Sequence, residues 1–215
     1  FAGGGFDQWG YNDTARLYVD GVDLYKGTTD ASLNQLLDVI TQTLRGLGFI
    51  HANGFLHNDL KPSNILIETP ADADQRPAPR DLVGVSEAVE ANLGRVKIID
   101  FGLFSTEHIC WTDLFGTPHF LSPERIRGLP TDRRSDLYSL GFILYLLCAR
   151  AYPFNTRDSD EILGMHLDAE VPGLAQHRPD LPPALTELVE RLMKKRPEDR
   201  FQSAEATLQF LEANL

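Results

Sequence analysis

Cysteine is scarce in this chain. Cys110 and Cys148 are the two among 215 residues, too few for a disulfide framework and without metal-ligand spacing, which points to a reducing, intracellular setting. A basic excess is missing as well. The 31 acidic and 20 basic side chains leave a formal charge of −11, whereas a nucleic-acid-binding surface normally carries the opposite balance, so nucleic acid is not an expected partner. No signal peptide is visible. The longest apolar run, around Leu137 to Leu147, is too short and too interrupted to cross a bilayer, and a cytoplasmic protein without a membrane segment is expected. A complete phosphate-cradling glycine loop is lacking too. Gly3-Gly4-Gly5 begins such a G-x-G-x-x-G pattern, but Gln8 stands where its third glycine belongs and no strand lysine follows, so Phe1 to Asp13 read as a flexible lead-in. The first residue is Phe1 rather than Met, and a longer parent protein with further domains is expected.

What is present allows one sizeable globular domain or two small ones: 42% hydrophobic and 24% charged residues are ordinary proportions. The most informative stretch is His57-Asn58-Asp59-Leu60-Lys61-Pro62-Ser63-Asn64, followed by the apolar run Ile65-Leu66-Ile67. It places an acid, a base and an amide on a loop beside a short strand, where positioned chemistry is usually found. A carboxylate two residues before a lysine and five before an asparagine can orient a hydroxyl, steady a phosphate and help to hold a metal. A second carboxylate would complete such a site. Asp100-Phe101-Gly102, directly after Val96-Lys97-Ile98-Ile99, supplies it.

These motifs, with Ser122-Pro123-Glu124 further on, resemble in order and spacing the catalytic loop, the DFG and the APE of eukaryotic-type (Hanks-type) serine/threonine protein kinases, in an arrangement similar to the bacterial members. The resemblance implies a mainly α (α+β) fold: a helical bundle with short β-hairpins at the catalytic cleft and the N-terminal lobe largely absent. Residues 1–16 would be a remnant of that lobe or a lead-in, and residues 17–215 the C-terminal lobe, with an insertion over about 69–94. It further implies ATP as co-substrate, a protein as acceptor, and Mg2+, or Mn2+ in its place. Asp59 would accept the proton of the substrate hydroxyl, or orient that hydroxyl, and Lys61 would neutralise the transferred phosphoryl. Thr117, in Gly116-Thr117-Pro118-His119-Phe120, would bond to Asp59 and Lys61, and Asn64 and Asp100 would hold the metal. The backbone of Leu17 and Val19 would face the adenine and Asp23 the ribose. Asp23 reads equally well as a solvated acid in a turn. Lysine two residues after the aspartate accompanies serine/threonine specificity in this family.

Around these motifs the periodicity predicts elements. Apolar residues at 33, 36, 37, 40, 44, 47 and 50 mark a helix, with Ser32 as its N-cap and Gly54 as its stop. His51, at its end, reads as a surface or helix-terminus histidine, whereas the resemblance makes His57 a buried structural residue under Phe101. Ala15 to Val19 reads as a strand with a turn at Asp20-Gly21. Glu68 to Arg95 reads as a loop inserted between two strands, with a short helix near Ser86 to Asn92. Ser135 to Ala149 is apolar on all sides and so reads as a central helix. By resemblance its Asp136 holds the catalytic-loop backbone; a helix N-terminal acid is the plain reading, and the two are compatible. Further helices are expected at Ser159 to Leu167, Pro183 to Lys195 and Ser203 to Glu212, and Arg200 is expected to pair with Glu124. Two other functions stay open: a pseudokinase acting as a binding or scaffold module, and a small-molecule phosphotransferase of the aminoglycoside-kinase type. The intact Asp59, Lys61, Asn64 and Asp100 weigh against the first, and Gly116-Thr117-Pro118 with the Glu124/Arg200 pair against the second.

One departure lies inside the key motif. The arginine that usually precedes the catalytic aspartate is Asn58 here, and an asparagine cannot pair with a phosphorylated loop. Ser105, Thr106 and Thr112 read as ordinary loop hydroxyls. Replacing all three with alanine is therefore expected to leave phosphate transfer intact, with loss of transfer as the contrary result.

Overall fold

The chain enters the structure, a computed structural model describing residues 21–68, 93–100, 105–106 and 117–215, as a short edge strand, β1 (Val22–Asp23). Leu17, Val19, Phe101, Gly102, Thr112, the expected strand at Ala15 to Val19 and the expected helix at Ser86 to Asn92 lie outside those residues. One turn of helix, α1 (Leu24–Gly27), follows with Asp23 as its N-cap. The long helix α2 (Leu33–Ala52) begins in a reciprocal capping box, in which Ser32 accepts from the Gln35 amide and Gln35 accepts from the Ser32 amide. It ends at Asn53 and Gly54, whose φ of 79° suits a residue without a Cβ.

A two-residue strand, β2 (Phe55–Leu56), leads into the His57 to Asn64 loop, and β3 (Ile65–Glu68) leaves it. β3 pairs antiparallel with β4 (Arg95–Ile98) from Ile65↔Ile98 to Glu68↔Arg95, and with β1 on its other side. The β3–β4 pairing thus sets Glu68 and Arg95 side by side, whatever the length of chain between them. Ser105 and Thr106, read from the sequence as loop residues, instead form β5 (Ser105–Thr106), which pairs with β2 as Leu56↔Ser105 and Phe55↔Thr106.

After these small sheets the described chain is helical: α3 (Pro123–Ile126), α4 (Arg133–Ala149), α5 (Ser159–Asp168), α6 (Leu174–His177), α7 (Pro183–Leu192) and α8 (Ala204–Asn214). The expected helix over Pro183 to Lys195 therefore stops three residues early. Every residue of α4 from Ser135 to Cys148 is buried, as its all-round apolar character requires. Gly141 lets α7 come close: a Cβ there would lie 2.8 Å from both Leu192 and Met193. The mainly α architecture with short antiparallel pairs agrees with the sequence reading.

The polar clamp at the base of this bundle is Arg200. Its guanidinium is fully buried and engages all its N–H groups. Two go to the Glu124 carboxylate at 2.8 Å each, and the others to the carbonyls of Lys194, Arg134 and Lys195 at 2.7, 2.9 and 2.9 Å. The Ser135 hydroxyl donates to the same carboxylate at 2.6 Å, and the guanidinium lies 4.6 Å from the centre of the Tyr138 ring. Burial pushes the Glu124 carboxyl up, but the Arg200 hydrogen bonds and charge outweigh it and hold the carboxyl below its ordinary range. Arg200→Ala leaves Glu124 buried and unpaired, so unfolding in denaturant should show a loss of about 3–5 kcal/mol. Stability equal to that of the parent chain would refute the role of this pair.

Candidate active site

The site is built on the loop between β2 and β3, and one buried carboxylate beneath it sets the backbone. Asp136, in the first turn of α4, accepts from the amides of His57 and Asn58 at 2.9 and 2.8 Å and from the His51 ring at 2.9 Å. Its helix-terminal and loop-holding readings both hold. His51 is the helix-terminus histidine of the two readings, not a surface one: it lies in the last turn of α2, is 8% exposed and faces Asp136. The helical spacing of 40, 44, 47 and 51 puts it on the buried face of α2, a signal that was available and outweighed by its position at the helix end. Burial raises the Asp136 carboxyl, yet the hydrogen bond and charge of His51, with His57, hold it below the usual carboxylate range.

His57 is fully buried. Its Nδ1 accepts from the Asp59 amide at 3.3 Å while Nε2 lies 3.0 Å from the Ile99 carbonyl, which assigns the Nε2–H tautomer. The imidazole thus ties the catalytic-loop candidate to the segment that carries Asp100, a structural role. Asn58 has a left-handed backbone, φ 62°, a region that asparagine tolerates better than most residues. This turn brings Asp59 round toward Lys61 and Asn64. Lys61 Nζ donates to the Asp59 carboxylate at 2.7 Å, and Asn64 Nδ2 donates to the Asp59 carbonyl at 2.8 Å and to its carboxylate at 3.3 Å. The Asp59 side chain is 14% exposed, enough to meet a substrate without being freely hydrated.

Asp100 lies next to this cluster through the backbone, since the Ile99 amide donates to the Asn64 carbonyl at 2.9 Å. Its own backbone is left-handed, φ 64°, and the residue is exposed. A carboxylate and an amide side chain on adjoining segments form an all-oxygen donor set that suits a hard divalent cation. Thr117 does not bond to Asp59 or Lys61. Its carbonyl accepts from Phe120 in the short 3-10 turn Pro118–Phe120, and its side chain makes no capping bond. It shares with Lys61, Ser63 and Asp23 a groove of about 510 Å³ walled by Tyr25 and Tyr152. Asp23 is no plain solvated acid: it caps α1 through the Lys26 amide at 3.1 Å and lies 3.2 Å from Lys26 Nζ.

Sequence reasoning missed Arg125 altogether. It is 4% exposed, and its guanidinium donates to the Asn58 carbonyl. Burial lowers its pKa, against the opposing pull of Asp136 and Asp59. No spacing rule announces that a charged residue on a one-turn helix will turn inward under a loop.

The protein kinase domain model matches residues 18–210. The chain belongs to the protein kinase family. It is 36% identical over 202 residues to the serine/threonine-protein kinase pkn3 of Myxococcus xanthus, covering 89% of this chain and 34% of that protein. A probable serine/threonine-protein kinase of Clostridium acetobutylicum is 32% identical over 190 residues, covering 86% of this chain and 25% of the relative. PknB of Mycobacterium tuberculosis is 30% identical over 197 residues, covering 87% and 28%. The bacterial Hanks-type resemblance is thereby upheld, and the chain spans about a quarter to a third of the length of these relatives.

Asp136→Asn replaces an acceptor-only group with one that presents N–H groups to the loop amides. It is expected to cost about 2–3 kcal/mol, as for hydrogen bonds to a charged group, and to speed amide exchange at His57 and Asn58. The native Asp136 carboxyl sits below its unfolded value, so its contribution is present above about pH 4 and is lost as pH falls through the folded pKa. Thermal melts from pH 3 to 6 should show that acid loss in the parent chain and less of it in Asp136→Asn; identical profiles would contradict it.

Proposed function

We propose that this chain is the larger, helical lobe of a bacterial serine/threonine protein kinase that transfers the γ-phosphate of ATP to serine or threonine hydroxyls of protein substrates. The observation that carries the reading is the Asp59 carboxylate, held by Lys61 and Asn64 and tied to Asp100 through the Asn64 backbone. Phosphoryl transfer asks the protein mainly for positioning and cancellation of charge. The substrate hydroxyl enters from the groove that Lys61 and Thr117 line, and Asp59 accepts its proton or fixes its direction. Lys61 then shares its charge between Asp59 and the phosphoryl oxygens. Asn64 and Asp100 hold Mg2+, or Mn2+, which when bound offsets the negative charge of the phosphates.

On the same reading Leu17 and Val19 meet the adenine, Asp23 meets the ribose, and Thr117 is part of the platform for the protein substrate. Residues 1–16 then belong to the smaller lobe or lead into this one, and the 69–94 segment is an insertion without a part in the chemistry. The names of the relatives and Lys61, two residues after Asp59, favour serine and threonine over tyrosine. We place the protein in the cytoplasm on its two cysteines, with further domains beside this one since its relatives are longer. Among the described residues no helix is long and apolar enough to cross a membrane. The 215 residues contain neither a complete G-x-G-x-x-G nor an assignable strand lysine to cover the ATP phosphates, so by themselves they are expected to transfer phosphate slowly or not at all.

The test is ATP-dependent labelling of a generic protein substrate by the full-length protein. Phosphoserine and phosphothreonine should form, chelation of divalent metal should abolish the labelling, and Asp59→Asn should slow it by roughly two to four orders of magnitude. Undiminished labelling by Asp59→Asn would overturn the assignment, and an inactive parent protein would favour the scaffold reading.

A further inference from the structure

Asn58 is bound on each side by a different segment. Its amide donates to Asp136 on α4, its carbonyl accepts from Arg125 on α3, and its side-chain Nδ2 donates to Ser105 Oγ on β5 at 2.7 Å. Ser105 is 9% exposed and Asn58 7%, so this last bond is shielded from water. Ser105 is also the register partner of Leu56 in the β2–β5 ladder, two residues before Asn58. The hydroxyl and the ladder therefore pin the same short strand to the same loop, from two directions.

Asn58 also carries the left-handed turn that aims Asp59. A side chain fixed at that point limits rotation of the very backbone that sets the carboxylate. The cation under the loop comes from Arg125, which belongs to another element and is already committed to the Asn58 carbonyl. We infer that Asn58 and Ser105 form a neutral latch joining the post-Asp100 strand to the catalytic loop, and that Asn58 acts through it as a positioning residue for Asp59. The latch needs a free hydroxyl at Ser105 and no phosphate. It also corrects the expectation attached to the triple alanine replacement, because Ser105→Ala removes a structural bond rather than an idle loop hydroxyl.

The latch has a structural readout that is independent of the proposed kinase activity, on which only its positioning part rests. Asn58→Gly keeps the left-handed turn and deletes the amide; Ser105→Ala deletes the acceptor; Ser105→Thr keeps it; Thr106→Ala, an exposed neighbour, is the control. In this chain, exchange of the hydrogen-bonded amides in the β2–β5 ladder, which pairs Phe55↔Thr106 and Leu56↔Ser105, should accelerate by about five-fold in Asn58→Gly and Ser105→Ala, the value of one hydrogen bond, and no further in the double variant. Ser105→Thr and Thr106→Ala should match the parent. In the full-length protein the first two should lower kcat several-fold with KM for ATP and protein substrate nearly unchanged, again without adding. Parent-like exchange in Ser105→Ala, or effects that multiply in the double variant, would overturn the latch. Faster exchange with unchanged kcat would overturn the positioning role. An inactive parent protein would count against the proposed kinase and against that positioning role, and the exchange measurements would decide the latch.

Discussion

A buried carboxylate sets the terms for this site. Asp136 sits at the start of a helix with no exposed face for most of its length, and a charge there is tolerable only if donors surround it. Three do: the His51 ring and the amides of His57 and Asn58. The requirement to satisfy one acid thus fixes the backbone of the loop that carries Asp59. The helix beneath is anchored in turn, because Ser135, next to Asp136, donates to the Glu124 carboxylate that Arg200 clamps. Position passes from the C-terminal helices, through α4, into the loop.

From the loop upward the contacts change character. Lys61, Asn64 and His57 hold Asp59 by its carboxylate, carbonyl and amide, and the Ile99–Asn64 hydrogen bond brings Asp100 beside it. Where an arginine often precedes the aspartate in this family, Asn58 meets a serine hydroxyl instead, and the buried cation is delivered by Arg125 from below. The site is preorganised by groups that are all encoded in the chain. On this account nothing has to be added to the activation segment before the loop takes its shape.

Much of the scaffold was legible because strong local signals and long periods produced it. The capping box of α2, the all-round apolar α4 and the Arg200–Glu124 pair were readable from spacing or from the family resemblance. His51 was readable too, since it continues the buried stripe at 40, 44 and 47, but a polar residue at a helix end invites the surface reading. The β2–β5 pairing had no such signal: two-residue strands show no alternation, and only tertiary contact makes Ser105 a buried partner. The inward turn of Arg125 was invisible for the same reason, as was the capping role of Asp23, which depends on where a one-turn helix begins. The bonds to the Asp59 carboxylate that the family resemblance implies for Thr117 are made by Lys61 and Asn64.

We propose that the loop carrying Asp59 is held ready without phosphate on the activation segment. The direct measurement is the initial rate of phosphate transfer by the full-length protein against the phosphate stoichiometry of residues 100–124, determined by mass spectrometry on the same samples. A rate that is independent of that stoichiometry, and undiminished after complete phosphatase treatment, is the predicted result. A rate that rises in proportion to it, and vanishes when it is zero, would contradict the account.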